Sequence, residues 1–476
     1  MGFASPEVVT GGFPLAAHVK RVLVVSSMYP TAEHPAGGIF VHEQVKALRR
    51  QGLDARVVTG RPAWMSGRHP RTALRLLRDC VRAPWLGWDH HEGVPVARFP
   101  YPVGAFSRPW LYPWFYAAAL RRWLPGVEDG FPYELVHTHT AFVDGRAGIA
   151  AARHRGVPMV LTEHTGPLRA ITADWRWRLH TQAGIDGADR LIAVSQALRR
   201  DMLDQLRIPD SKRPWVVPNG VDTEFFDPAR PPRSEAHPIA STEVVALFER
   251  LAQGFESHHG EPLSGSAVAR ELRAALAGSG LVPESPPDPW RAADVVHALW
   301  VGHHVDVKRV DRLLDAFAIA SRHRPQLRLT LLGSGPLEAT HRQRAQALGI
   351  AGAVRFLPAA DREGVRQALA SADFLVLPSE TETFGVVVIE ALAMGRPVLA
   401  TACGGPEDIL CDERLGVLMG NNLEDIALGL QRMAGGAPNF SSQQIRRLAV
   451  ERFDFAGLAQ RLGAIYDELA GAVRKA

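Results

Sequence analysis

The strongest constraint on this chain is a repeated change of period. Short aliphatic, β-branched runs alternate with stretches whose apolar residues recur at helical spacing, and the alternation occurs in two separate series. In the first, Arg21-Val22-Leu23-Val24-Val25-Ser26-Ser27 has the composition of a strand buried on both faces. Gly37-Gly38-Ile39-Phe40 then opens a helical pattern through Val41, Val45 and Leu48 that closes near Gly52, and Ala55 to Val58 supplies the next strand. The same rhythm returns at Leu135 to His137, Met159 to Thr162, Arg190 to Val194 and Trp215 to Val217. A second series runs from Ala298 to Val301 through Leu327 to Leu332, Val354 to Phe356, Phe374 to Leu377 and Pro397 to Ala400. Strands alternating with helices predict an α/β fold of two doubly wound parallel sheets. Ligands of such sheets bind beyond the carboxyl ends of the strands, so the natural site is a cleft between two facing domains.

The predicted boundaries follow from this pattern. Residues 1–218 form an amino-terminal domain and residues 219–455 a carboxy-terminal one, interrupted by an insert at about 228–291 that is Pro-rich at its ends. The insert holds two helix-like stretches, Thr242 to Phe255 and Ser266 to Ala277, and reads as a surface decoration. Residues 456–476 carry Leu458, Leu462, Ile465, Tyr466 and Leu469 at helical spacing and predict a packing helix. Such domains fit a chain of 476 residues, and no apolar run approaches the ~18 residues of a membrane span. Lys plus Arg 54 against Asp plus Glu 50 is too even a balance to expect nucleic acid as a partner. Cys80, Cys403 and Cys411 show no metal-ligand spacing, which fits buried thiols in a reducing compartment. The amino terminus carries Glu7 and no long apolar stretch, so the expected location is the cytoplasm.

The densest chemistry lies between Pro378 and Leu392. A predicted strand ends there, and Thr383-Phe384-Gly385 stand where a helix begins, so their backbone N–H groups and the helix dipole make a site for a diphosphate. Glu382 lies on the loop ahead of the helix. Glu390 lies two turns inside it among Val387, Val388, Ile389 and Leu392, where an acid is costly without a partner, and sugar hydroxyls are suitable donors to it.

These two glutamates, eight positions apart, resemble the E-x7-E signature of the family 4 retaining glycosyltransferases, whose glycosyltransferase B fold consists of two Rossmann-like domains. Gly395-Arg396-Pro397 through Thr401, the Cys403-Gly404-Gly405-Pro406 turn, Leu332-Gly333-Ser334-Gly335, Lys308-Arg309 and Val217-Pro218-Asn219-Gly220 are similar to that family's motifs as well. The resemblance implies that Glu382 meets donor-sugar hydroxyls, Glu390 the nucleotide ribose, and the amides of Thr383 to Gly385 the diphosphate. Lys308, one of only five lysines, would neutralise that diphosphate as the sugar leaves, a role for fixed charge and oriented amides that needs no metal or other cofactor. His164, in Thr162-Glu163-His164-Thr165, resembles the histidine beside the reacting sugar, and Gly38 the amino-terminal glycine loop near the donor phosphate or acceptor. Where the family has an arginine beside the diphosphate, this chain has His303, whose charge near neutral pH is conditional. It either donates to phosphate or fills space beside Lys308. His137 and His139 read as acceptor-cleft or packing residues.

The implied reaction transfers a hexose-type sugar from a nucleoside-diphosphate donor to a glycan or lipid-linked acceptor, on one face of the sugar, with the leaving diphosphate taking the acceptor's proton. Asp144 and Glu163 are then not assigned as bases. Residues 61–125 hold ten arginines against Asp79, Asp89 and Glu92, and six of the eleven tryptophans. This stretch reads either as a surface that rests on an anionic membrane or as an ordinary acceptor-domain surface with core tryptophans. Two other classes share parts of this pattern. Gly333-Ser334-Gly335 lacks the third glycine of a dinucleotide turn, since position 338 is Glu338, which argues against an oxidoreductase. A non-catalytic nucleotide-sugar-binding protein on the same fold is the alternative reading.

Overall fold

The computed structural model describes residues 19–31, 37–65, 70–104, 108–230, 237–239, 281–283, 294–436 and 439–473. The amino-terminal sheet consists of β1 (Arg21–Val25), β2 (Asp54–Met65), β3 (Asp89–His91), β4 (Val94–Gly104), β5 (Leu135–Thr138), β6 (Met159–Glu163), β7 (Arg190–Ala193) and β8 (Trp215–Val216). Its order is β3-β4-β2-β1-β5-β6-β7-β8, parallel throughout except for the antiparallel edge strand β3. The helices that matter below are α1 (Ile39–Arg50), α2 (Pro70–Arg82), α3 (Tyr112–Gly130) and α4 (Asp144–Arg155).

Alternation along β1 explains why this sheet is covered on both faces. Leu23 and Val25 point into one core with Leu120, Leu124 and Val127 of α3 and Ala147 and Ala151 of α4. Val22 and Val24 point into the other, with Val41, Val45 and Leu48 of α1. Each fully buried aliphatic side chain contributes roughly 1.5–3 kcal/mol, so the two faces together set the strand's register. The second core is completed from the far end of the chain: Leu458, Leu462, Ile465 and Tyr466 of the helix Phe455–Val473 return from the carboxy-terminal domain to pack against α1.

Within the insert, the described residues form two short paired strands, β9 (His237–Ile239) and β10 (Leu281–Pro283). The helical stretches expected at Thr242 to Phe255 and Ser266 to Ala277 lie outside the described residues. The carboxy-terminal sheet contains β11 (Val296–Val301), β12 (Leu327–Leu332), β13 (Val354–Leu357), β14 (Phe374–Leu377), β15 (Val398–Thr401) and β16 (Gly416–Met419). Its order is β13-β12-β11-β14-β15-β16, and every pairing is parallel. Two chain crossings join the domains, and they pair with each other. Val221 N–H donates to the Phe453 carbonyl at 2.8 Å, and the Thr223 hydroxyl bonds the Asp454 carboxylate at 2.5 Å.

The structure corrects the expectation of buried thiols: Cys411 is exposed, Cys80 and Cys403 are half-buried, and all three are free. No helix among the described residues is long and apolar enough to cross a membrane.

Candidate active site

In the carboxy-terminal domain, the loops after β11, β12, β14 and β15 meet at the carboxyl end of the sheet. Lys308 ends a short 3-10 turn after β11, and its Nζ donates to Glu382 Oε1, which also accepts from the Ser379 hydroxyl at 2.8 Å. The two loops are fixed to each other through backbone, with Glu380 N–H donating to the Val307 carbonyl at 2.9 Å. Arg309, next to the lysine, adopts the left-handed region at φ 49°, a conformation strained for a side-chain-bearing residue. It is held there by Asp311 and Glu380, which its guanidinium bonds at 3.0–3.1 Å.

Gly404 and Gly405 explain the shape of the next loop. A Cβ on Gly405 would lie 2.2 Å from the Phe384 Cα, and one on Gly404 would lie 2.5 Å from the Glu382 carbonyl oxygen, so only glycine lets this turn press against residues 382–384. Phe384 itself points inward, 2% exposed, with its edge toward Phe453, and leaves only its backbone to a ligand. Gly385 precedes the helix Val386–Ala393 in the left-handed conformation. Glu390, inside that helix, is pushed up to about 7 by burial, opposed by the Arg362 guanidinium.

The amino-terminal domain contributes the opposing wall. Gly38 caps α1 at φ 67°, and a Cβ there would lie 2.3 Å from the Met28 carbonyl oxygen. Phe40, the second residue of α1, tilts over the His164 ring at 4.6 Å. His164 follows β6, with its Nε2 at 3.1 Å from His139 Nδ1, and burial lowers it to about 3, so it is a neutral imidazole. Its Nδ1 has no partner among the described residues. Glu163 organises this rim: its carboxylate accepts the backbone N–H groups of Ala141, His164 and Thr165 at 2.7–3.0 Å. The two walls touch at Thr383. Its carbonyl accepts the Ser195 hydroxyl at 2.6 Å, and a Cβ on Gly166 would meet its methyl group at 2.1 Å.

The family model described as Glycosyltransferase Family 4 matches residues 37–225, and that described as Glycosyl transferases group 1 matches residues 292–434. The chain belongs to the family 4, group 1 glycosyltransferases. It is 28% identical over 426 residues to the D-inositol 3-phosphate glycosyltransferase of Mycobacteroides abscessus, an alignment covering 84% of this chain and 78% of the relative. In structure it is similar to the sucrose-phosphate synthase of Thermosynechococcus elongatus, with a TM-score of 0.64 at 19% identity over 95% of this chain and 100% of that one. Anabaena HepE in complex with UDP-glucose matches with a TM-score of 0.58 at 17% identity over 94% and 100%. The fold is glycosyltransferase B.

Within this glycosyltransferase, the expected residues are distributed unevenly. Lys308, Glu382, Thr383 and the His164 loop come together. His303 lies on the loop after β11, exposed, with its Nδ1 on the Ser334 carbonyl. A carbonyl only accepts, so that nitrogen carries the hydrogen, and Nε2 donates to a phosphate only when the ring is protonated. The neighbouring His304 is fully buried against His341, Nδ1 to Nδ1 at 2.8 Å. His137 is also buried, bonding the Tyr466 hydroxyl at 2.7 Å and the Thr162 hydroxyl at 2.8 Å, which makes it a packing residue. One trio of metal-ligand type occurs among the described residues, His42, His91 and Glu92, but the Lys46 ammonium already sits 3.0 Å from the Glu92 carboxylate.

Three contributors escaped sequence reasoning. Ser195 caps the helix Gln196–Gln205 and reaches Thr383 in the other domain. Ser379 has no spacing signature. Arg362, beside Glu390, donates across the cleft to Glu43 Oε1 at 2.7 Å while lying over the Phe225 ring at 4.4 Å.

Proposed function

We propose that this glycosyltransferase moves a hexose-type sugar from a nucleoside diphosphate to a glycan or lipid-linked acceptor, with retention of anomeric configuration, in the assembly of cell-surface polysaccharide or glycolipid. The observation that carries the reading is the Lys308–Glu382 pair on the loop ahead of the Glu390 helix, together with the unpartnered Nδ1 of His164 in the amino-terminal domain. In this reading the arriving diphosphate draws the Lys308 ammonium, and Glu382 turns to the donor-sugar hydroxyls. Thr383, Phe384 and Gly385 offer backbone N–H groups to the phosphates, and His303, when protonated, adds a donor. Glu390 holds the ribose, and the Gly38 loop lets backbone approach from the opposite wall. His164, being neutral, orients a sugar hydroxyl without bringing charge.

Charge develops on the diphosphate as the glycosidic bond breaks, so a fixed ammonium and preoriented amides lower that barrier. The leaving phosphate takes the acceptor's proton on the same face. Support for a mechanism without a protein base comes from Glu163, the acid beside His164, whose carboxylate is engaged by three backbone N–H groups. The free thiols agree with action in a reducing, cytoplasmic compartment, at the inner face of a membrane where the acceptor is lipid-linked. A polyol phosphate acceptor is a second reading, favoured by the inositol phosphate named for relatives covering most of the chain.

Thermal unfolding against UDP, GDP, ADP and their sugars tests the donor site. A nucleotide at 100 times its Kd stabilises by about 2.7 kcal/mol, and Glu390→Ala loses that shift. Transfer from the stabilising donor, scored with lipid-linked and inositol phosphate acceptors and with the product's anomeric configuration read by NMR, tests the rest. Lys308→Ala is expected to lower kcat on the order of 10²–10³-fold without loss of fold. A folded protein with no nucleotide shift overturns the proposal, and binding without hydrolysis or transfer selects the non-catalytic alternative.

A further inference from the structure

We propose that α2 docks the amino-terminal domain onto an anionic bilayer, lying in the headgroup plane with its arginines on lipid phosphates. The inference names a partner for the acceptor side under the proposed function, and rests on that reading only for the acceptor it would present.

One face of α2 belongs to the protein. Ala73 is buried and Leu76, Leu77 and Cys80 are half-buried, a stripe at helical spacing turned toward the domain. The opposite face carries Arg71, Arg75, Arg78 and Arg82, all exposed and each three or four residues from the next. Like charges at that spacing repel, and the protein supplies little to relieve them. Asp79, itself on the surface, approaches Arg78 at 3.4 Å and Arg75 at 3.9 Å, while Arg71 and Arg82 make no ion pair among the described residues. A plane of anions outside the protein would satisfy the whole stripe.

The flank of the same helix decides what kind of plane. Leu74 and Val81 lie beside the arginine stripe and are 60% and 55% exposed. Leu86, just past the helix, is 77% exposed, and Trp64, at the tip of β2 just before it, is 69% exposed. Single exposed apolar residues are ordinary, but four within one basic segment match an interfacial helix, which buries an apolar flank in the headgroup boundary while arginines stay with phosphate. A nucleic acid would use the arginines and leave these four in water.

The position of α2 fits the acceptor side. β2 and β4 stay paired out to Met65 and Gly104, well beyond the end of β1 at Val25, so α2 starts from the cleft rim. Behind it, Trp85 packs against α3, where a Cβ on Gly126 would lie 2.6 Å from the Trp85 ring. On the side of the sheet covered by α3 and α4, a groove of about 550 Å³ is lined by Trp114, Arg121, Arg146 and Arg153, with the Arg146 guanidinium 4.3 Å over the Trp114 ring.

Flotation of the purified full chain with vesicles tests the proposal, comparing phosphatidylglycerol-containing with pure phosphatidylcholine membranes at low and high salt. The wild type is expected to float with anionic vesicles and to be released by salt. Replacing Arg71, Arg75, Arg78 and Arg82 by Gln is expected to cut the partition coefficient on the order of fivefold per arginine. Leu74→Ser with Val81→Ser is expected to weaken it several-fold while keeping the salt dependence. Nucleotide-induced thermal shifts without lipid should be unchanged in both variants, which reports their fold and keeps a failed donor site separate from failed docking. No flotation of the wild type, equal flotation of wild type and arginine variant, or tight binding to RNA without binding to vesicles would each overturn the proposal.

Discussion

Glu390 carries an electrostatic penalty from burial, and that penalty sets two pH dependences of opposite sense. Burial raises its carboxyl from 4.5 to about 7, so between those values the folded chain holds a proton that the unfolded chain has released. Stability therefore falls as pH rises through this window and is fully restored only below the unfolded value. Glu390→Gln should unfold at a higher temperature than the wild type at pH 8, and the difference should vanish near pH 4; calorimetry at the two pH values checks it. Under the proposed function donor binding runs the other way, because only the carboxylate would accept both ribose hydroxyls. Apparent donor affinity should rise about tenfold per pH unit up to about 7 and then level off, and Glu390→Gln should flatten that limb. A limb that survives the substitution would assign the titration elsewhere in the cleft.

Ser195 shows how one element end carries two duties. Its hydroxyl oxygen accepts Leu198 N–H at 3.0 Å as the cap of the helix Gln196–Gln205, and its proton goes to the Thr383 carbonyl at 2.6 Å. Ser195→Ala loses both, with an expected cost of about 1 kcal/mol in stability from the cap alone. Ser195→Asp keeps the cap but has no proton to give, so its stability should recover while donor KM stays raised; equal KM in the two proteins and the wild type would mean that Thr383 needs no help from the other domain. The strands buried on both faces were legible, because their apolar runs are short and unmixed. β4 was not. Pro95, Pro100 and Pro102 argue against a strand; Pro100 and Pro102 are tolerated because the outer edge of β4 is open past Val96, where its pairing with β3 ends. α2 was hidden as a helix because its arginines dominate the composition of residues 61–125 and mask the Ala73, Leu76, Leu77, Cys80 stripe.

At the scale of the whole molecule, the site is a product of two domains meeting, and that is the part the sequence conceals. Glu382 and Glu390 lie in one loop and helix, so their spacing survives as a local pattern, whereas Arg362 and Glu43 are 319 residues apart. Their ion pair does more than hold the cleft shut. Glu43 is 4% exposed and its Oε1 also accepts the Lys46 ammonium at 3.1 Å, so it keeps a partner if the arginine leaves. Arg362 meanwhile opposes the upward shift of Glu390, coupling closure to the charge state of that acid. Removing either partner should shift the closed-to-open ratio by roughly 2 kcal/mol, about 30-fold, visible in solution scattering as a larger radius of gyration. The two removals should differ at Glu390. Arg362→Ala should move the acid limb of donor binding to higher pH, since the opposing cation is gone, while Glu43→Gln should open the cleft and leave that limb in place. If scattering changes in neither variant, closure rests on the Ser195–Thr383 and Gln196–Asp408 hydrogen bonds instead, and Arg362 acts on Glu390 alone.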